Sequence, residues 1–271
     1  MMNPAPRQDP VRIIGILNTT PDSYVEHGKF ATLDAAVARA GAMLDEGADI
    51  IEIGGESTGP GSVDVSTEEE LRRTIPMIHA IRQKYPDVVL SIDTYKAAVA
   101  SAALEAGAAM VNDVTAGRYD QLMYSAVSAL GGQIILMYAK DSTPRTTIEP
   151  RAYDDVVATI KTFLKERKEA AVAAGIKPEK IILDPGLGHF VSSDASYSFA
   201  LLNRLDEFLD LGCPILVSPS RKSFLAGPEN LPVDRRLPAT LAATQTAVQK
   251  GASYIRTHDV LETRNLIESL E

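Results

Sequence analysis

Cysteine is almost missing from this chain. The one present, Cys213, excludes an intrachain disulfide and a thiolate cage for a metal, and its place just ahead of an apolar run reads as a small buried spacer. Also lacking is any apolar stretch near the ~18 residues that suggest a membrane span, so no membrane partner is expected. The opening Met1-Met2-Asn3-Pro4-Ala5-Pro6 has no apolar core before the first candidate strand, which reads as a short disordered lead rather than an export signal and makes the cytoplasm the expected location. Basic charge is in deficit, because 27 Lys and Arg against 36 Asp and Glu leave −9. Binding to a phosphate backbone needs a basic face, so a general nucleic-acid binder is excluded, while a small anionic substrate is still allowed. Nor is there a linker long enough to mark a second domain.

What the chain does have is alternation. Eight apolar segments rich in Ile, Val and Leu read as strands: Arg12–Asn18, Asp49–Gly55, Val88–Asp93, Ala108–Asp113, Gln133–Ala139, Lys180–Gly186, Pro214–Ser220 and Ala252–His258. Continuous apolar runs are expected where both faces of a parallel sheet are covered. Helical patterns fall between them, beginning near Thr32, Ser66, Thr94, Tyr119, Tyr153, Asp194, Leu237 and Val260. Ser66 with Glu69 forms the pattern of a capping box, and Gly47, Gly107 and Gly251 stand where helices end. The length of 271 residues is close to the roughly 250 of one such barrel. The expectation is an α/β fold, a single-domain (β/α)8 TIM barrel over residues 1–271.

In parallel barrels chemistry gathers at the carboxyl ends of the strands. Here those ends carry Asn18, Asp93, Asn112, Asp184, Ser220-Arg221-Lys222 and Arg256-Thr257-His258. Lys222, Arg221 and Arg256 are expected to converge if the last two strands are neighbours. Two long connections at the same face, Thr19 to Ala31 and Glu56 to Val65, combine turn formers with hydroxyl and acidic groups, as a mobile lid over a substrate does. Read alone, they are equally well turn-rich surface loops. His79 reads as a helix-face or packing residue, His27 as a loop residue with surface placement at least as natural, and the Lys165, Arg167 and Lys168 cluster as a solvated face.

Several ordered segments resemble the dihydropteroate synthase family. They are Gly15-Ile16-Leu17-Asn18-Thr19-Thr20-Pro21-Asp22-Ser23, Gly54-Gly55-Glu56-Ser57-Thr58, Ser91-Ile92-Asp93-Thr94, Val111-Asn112-Asp113-Val114, Leu183-Asp184-Pro185-Gly186, Ser220-Arg221-Lys222-Ser223-Phe224 and Arg256-Thr257-His258-Asp259. Any one is a weak signal; together, in order, they cover essentially the whole chain. The resemblance implies a barrel, usually a homodimer, that joins 6-hydroxymethyl-7,8-dihydropterin diphosphate to p-aminobenzoate and releases pyrophosphate with Mg²⁺ present.

The candidate residues suit that chemistry. A reduced pterin presents an amino group and a ring N–H side by side, which the Asp184 carboxylate can accept as a pair. Asn112 offers a donor and an acceptor, Lys222 can donate to a ring carbonyl or nitrogen, and Asp93 can close the remaining edge. For each carboxylate the plain alternative is a structural partner to Lys or Arg, and for Asn112 a strand-end cap. Arg256 and His258, two residues apart on one strand, are expected to reach one phosphate group. Asn18 supplies a hard oxygen suited to Mg²⁺ held mostly by water and diphosphate. Thr58, Pro60 and Ser223 would line the aminobenzoate pocket. Met137 and Phe190 would flank the pterin, although core packing accounts for them as well.

The chain also departs from the family pattern. Gly59 stands where the second loop usually has arginine, Tyr138 follows Met137 where histidine is common, and His189-Phe190-Val191 replaces the usual Phe-Gly-Lys run after Asp184-Pro185-Gly186. The altered and slightly longer segment before Leu201 looks closest to the sulfonamide-insensitive branch, with His189 in the reshaped pocket. Two other readings stay open: a pterin-dependent methyltransferase, disfavoured because a methyl donor has no diphosphate for Asn18, Lys222 and Arg256 to hold, and a catalytically weak pterin-binding relative, motivated by Gly59, Tyr138 and His189.

Overall fold

Period-two alternation along a strand, combined with closure into a ring, sends half of each strand's side chains toward the helices and half toward the axis. The computed structural model, which describes residues 10–18 and 33–270, shows the outward half largely apolar and the inward half apolar only toward the start of the strands. The strands are β1 (Arg12–Asn18), β2 (Ile50–Gly54), β3 (Val89–Asp93), β4 (Met110–Asp113), β5 (Gln133–Met137), β6 (Ile181–Asp184), β7 (Leu216–Val217) and β8 (Tyr254–Thr257). The strand pairings among the described residues are all parallel, in the order β6-β5-β4-β3-β2-β1-β8-β7. A bridge between Leu183 and Ile215 brings β6 to β7, with Leu183 N donating to Pro214 O at 3.0 Å. The fold is the expected (β/α)8 barrel.

Ile13, Leu17, Ile51, Ile53, Leu90 and Ile92 point outward into the main core beneath the helices. Ile14, Ile50, Met110, Ile135, Ile182, Leu216 and Tyr254 point inward and pack on one another as an apolar plug across the barrel. Two residues further along each strand the inward position changes character: Ile50 is followed by Glu52, Met110 by Asn112, Ile182 by Asp184, Leu216 by Ser218 and Tyr254 by Arg256. The barrel is therefore apolar at its waist and polar toward the carboxyl rim.

The helices are α1 (Leu33–Asp45), α2 (Thr67–Lys84), α3 (Ala97–Glu105), α4 (Met123–Leu130), α5 (Val156–Ala173), α6 (Ala195–Asn203), α7 (Leu237–Gln249) and α8 (Val260–Glu268). Asp155 caps α5 by accepting from Val157 N and Ala158 N, and Asp194 caps α6 by accepting from Ser196 N. Gly47, Gly107 and Gly251 all have positive φ, as expected at helix ends.

Several expectations are corrected. Strand β7 is shorter than Pro214–Ser220, because Pro214 and Pro219 lack the N–H that a ladder needs. Helices α3 and α4 begin at Ala97 and Met123, not at Thr94 and Tyr119: Asp120 accepts from Ala97 N at 2.8 Å and from Leu122 N at 3.0 Å, so one carboxylate sets both starts. The capping box is half made. Ser66 Oγ accepts from Glu69 N at 3.1 Å, but the Glu69 carboxylate is drawn instead to Arg72 and Arg73. The loop from Thr19 to Ala31, with His27, and the helix start at Thr32 lie outside the described residues.

Candidate functional site

Above the apolar plug the inward polar residues and the rim loops enclose a cavity of about 510 Å³. Every candidate side chain drawn from the sequence lies on its wall: Asp93, Asn112, Asp184 and Lys222, then Asn18, Thr58, Pro60, Met137, His189, Phe190, Ser223, Arg256 and His258. They arrive from both ends of the chain because a barrel converts sequence order into angular position round one rim.

Asp184 is 2 % exposed. Its Oδ1 accepts from Gly186 N at 2.7 Å, burial raises its pKa, and the Lys222 ammonium opposes that rise. Gly186 has to be glycine: its φ is +72°, and a Cβ there would stand 2.5 Å from the Tyr138 carbonyl oxygen. Burial lowers Lys222 to about 8, with Asp184 pulling the other way. The ammonium donates to Leu187 O at 3.3 Å and stands 5.2 Å from the centroid of the Phe190 ring. This half of the cavity combines an acceptor-only carboxylate, an ammonium donor and an aromatic face, a set that suits a flat heterocycle carrying N–H and carbonyl groups side by side.

The other half is built on Arg256, which lines the cavity together with His258 and is held by two carboxylates. Its Nε donates to Glu52 and its Nη2 to Asp93 at 2.7 Å. Asp93 is therefore committed first to Arg256. Burial holds the Asp93 carboxyl up to about 7, against the pull of that guanidinium. His258 lies one residue past β8, and burial together with the Arg256 charge lowers it to about 3, so its ring is neutral near pH 7. Ser220 Oγ accepts from His258 N at 3.2 Å and pairs with Nδ1 at 3.0 Å, where the tautomer of the ring decides which atom donates. In the tautomer in which Ser220 donates, the imidazole carries its proton on Nε2 and is a neutral donor.

Arg221 lines the same cavity as Lys222 and Arg256. Its φ is +54°, and its guanidinium makes two bonds to Asp259 at 2.6 and 2.9 Å. A left-handed non-glycine residue costs about 1–2 kcal/mol, and a bidentate pair offsets a cost of that size. Tyr138, noted as a departure from the family, faces away from the cavity: its hydroxyl pairs with Tyr153 at 3.0 Å and its ring packs edge-on to Phe163. It is scaffold, and Met137 is the neighbour that reaches the site.

The second loop, expected from its composition to be a mobile lid, is tied to neighbouring segments through Glu56. Glu56 accepts from Lys96 Nζ, Tyr95 Oη at 2.8 Å, Val65 N at 3.3 Å and Arg145. Burial would raise its pKa, but Lys96 and Tyr95 outweigh that and hold the carboxyl below its ordinary value. Lys96 also reaches Val65 O at 2.7 Å, Arg145 reaches Val63 O at 2.9 Å, and Thr146 N donates to Thr58 O at 3.1 Å. Sequence reasoning passed over Glu52, Lys96, Arg145, Thr146, Ile148 and Arg236. The long connection from Tyr138 to Asp155, with no helical period of its own, was the available signal for Arg145, Thr146 and Ile148. Arg145→Ala is expected to raise amide exchange across residues 57–65 by about 5- to 30-fold, which matches ~1–2 kcal/mol for a partly buried charged hydrogen bond. Exchange mass spectrometry showing no change there would mean that Lys96 and Tyr95 hold the loop alone.

A family model described as pterin binding enzyme matches residues 14–258. The chain is 42% identical over 251 residues to the dihydropteroate synthase of Clostridium beijerinckii, covering 92% of this chain and 89% of that one. Among solved structures, the Yersinia pestis dihydropteroate synthase in a sulfonamide drug complex superposes with a TM-score of 0.90 at 38% identity, covering 96% of this chain and 93% of that chain. The Xanthomonas albilineans dihydropteroate synthase with 4-aminobenzoic acid gives 0.88 at 38% identity, covering 97% and 92%.

Proposed function

Because the chain belongs to the pterin binding enzyme family, we infer that it is a dihydropteroate synthase, joining 6-hydroxymethyl-7,8-dihydropterin diphosphate to p-aminobenzoate with release of pyrophosphate. The observation that carries this reading is the placing of the Asp184–Lys222 cup and the Arg256–His258 region on one cavity. In the reaction the bond from the pterin methylene carbon to the diphosphate oxygen breaks, and a carbon–nitrogen bond to the arylamine forms. The amine's surplus proton passes to solvent. No protein nucleophile is needed, so the chain's work is binding, orientation and charge stabilisation.

In this reading Asp184 accepts from the pterin's paired N–H groups and Lys222 donates to its ring carbonyl or nitrogen. Arg256 and the neutral His258 donate to departing phosphate oxygens, and Thr58, Pro60 and Ser223 face the aryl ring. Among the described residues no group of three or more His, Cys, Asp or Glu side chains could hold a metal ion. Asn18 ends β1 with its Oδ1 above Gly54, 3.1 Å from where a Cβ would stand. One carboxamide oxygen fits a Mg²⁺ carried chiefly by diphosphate and water, and such an ion would neutralise charge building on the leaving group.

The test is to mix both substrates with Mg²⁺ and follow pyrophosphate release and the incorporation of labelled aminobenzoate. Both are expected together. A methyltransferase or an inactive relative would give neither, and that result would sink the reading.

The finer assignment, to a sulfonamide-insensitive branch, rests on the turn Gly188–Phe190. His189 O accepts from Thr146 Oγ1 at 2.8 Å and Phe190 O from Lys140 N at 2.7 Å, so this wall is braced against the connection that also bears on Thr58. A rigid wall rejects added bulk through steric cost. Sulfamethoxazole is expected to inhibit at least ~10-fold less than it inhibits an ordinary synthase, a difference of about 1.4 kcal/mol. Equal inhibition constants at matched aminobenzoate concentration would defeat the assignment.

A further inference from the structure

Glu52 lies below the cavity, fully buried, and is the only charged residue in the run Ile50-Ile51-Glu52-Ile53. Its two oxygens serve different halves of the site. Oε1 accepts from Arg256 Nε, while Oε2 accepts from Ser91 Oγ at 3.1 Å and from Asn112 Nδ2 at 3.1 Å. An arginine side chain is always charged, and the carboxylate facing it can only accept. That fixes which way the Asn112 amide lies: its NH₂ turns to Glu52, and its Oδ1 turns away. Oδ1 is buried and has no hydrogen-bond partner among the described residues. A buried acceptor left unpaired costs ~1–3 kcal/mol, so a donor from a bound molecule is the missing partner.

We propose that Glu52 is a positioning residue: by accepting from Asn112 and Arg256 at once, it presents the Asn112 carboxamide oxygen to an N–H of the pterin and holds the guanidinium beside the phosphates. One buried carboxylate thereby sets the register between the ring and its leaving group. This rests on the function proposed above and adds a residue that does not touch substrate. A carboxylate serving only to neutralise Arg256 would leave the Asn112 amide free to turn either way, and the two roles separate by experiment.

In E52Q the side chain keeps its shape. It must offer Oε1 to Arg256, since an NH₂ against a guanidinium sets donor against donor. Its own NH₂ then faces Asn112, whose amide flips and presents a donor to the cavity. Calorimetric titration with 6-hydroxymethyl-7,8-dihydropterin diphosphate is expected to show binding weakened about 10- to 100-fold, the loss of one buried hydrogen bond. The double variant E52Q/N112D moves the charge from one side chain to its neighbour. The carboxylate introduced by N112D can accept from the amide introduced by E52Q with one oxygen and offer the other to the pterin. Binding is therefore expected to return to within about fivefold of wild type, following the same hydrogen-bond energetics.

Unchanged binding in E52Q would overturn the proposal, and so would a double variant that binds no better than E52Q. If E52Q does not fold, the wild type still answers. The Asn112 side-chain NH₂, held by Glu52, is expected to be protected from solvent exchange both before and after the pterin binds, and an NH₂ protected only in the complex would show that it faces the ligand. Wild-type protein that neither binds the pterin nor releases pyrophosphate sinks the functional reading itself. Wild-type activity alongside an indifferent E52Q sinks the positioning role alone.

Discussion

Asp184→Asn is expected to lower kcat/KM by about 30- to 4,000-fold, the range for losing one partner of a buried, charged hydrogen-bonded contact worth ~2–5 kcal/mol. The substitution is nearly isosteric. Its amide oxygen can still accept from Gly186 N, which Asp184 Oδ1 meets at 2.7 Å, so the turn after β6 is expected to survive. What changes is the atom turned to the cavity: an NH₂ donor replaces an acceptor opposite the pterin's own N–H groups. Lys222 also loses the carboxylate that pulls its lowered value back up, so more of it is neutral near pH 8. Steady-state rates with both substrates varied, beside calorimetric pterin affinity, provide the measurement. A variant that keeps wild-type pterin affinity would remove Asp184 from the ring's edge.

The second large effect concerns Arg256→Met, which leaves Glu52 and Asp93 facing each other without the guanidinium that both now contact. Removing one member of a buried ionic group costs ~3–5 kcal/mol, and for a chain of this size each kcal/mol corresponds to about 2–4 °C. A fall in Tm of about 6–20 °C is expected, along with loss of turnover. The fall should depend on pH in a defined direction. In the wild type Asp93 is held at about 7, above its ordinary 3.8, so the stability it gains by being protonated is present at acidic pH and lost as pH rises through 7. Without Arg256 to lower it, the value climbs further, and the variant keeps that protonated form to higher pH. The deficit in Tm is therefore widest near pH ~9 and narrows toward pH ~6. A deficit independent of pH would show that Asp93 does not carry the strain. Arg256→Lys, which keeps the charge but not the two-pronged geometry, is expected to fall between.

Much of this was legible in the residues because a barrel makes period-two reasoning exact in direction. Once Ile50, Met110, Ile182 and Tyr254 are taken as inward, Asn112, Asp184 and Arg256 two positions later must be inward too, and the cavity follows. Glu52 obeys the same rule, yet a lone charge inside an apolar run reads as an interruption of a strand. Its partners, Asn112 and Arg256, are 60 and 204 residues distant, and nothing local announces them. Arg221 meets Lys222 and Arg256 at the cavity as the strand ends suggest, but its pairing with Asp259 was not legible, because the left-handed backbone at φ +54° breaks the alternation there. The contacts that tie down the second loop come from Lys96 and Arg145, whose carboxylate partner Glu56 is 40 and 89 residues away. Loop composition speaks of turns, not of what clamps them.

The apolar plug of Ile14, Ile50, Met110, Ile135, Ile182, Leu216 and Tyr254 stops the barrel below the reactants. Among the described residues the well opens toward the carboxyl rim. Whatever rests against Asp184 and Asn112, which are only 2 % and 3 % exposed, sits deeper than anything against the half-buried Thr58, Pro60 and His189. Ordered turnover, with the deeper reactant entering first, is the expected consequence, and product-inhibition patterns check it.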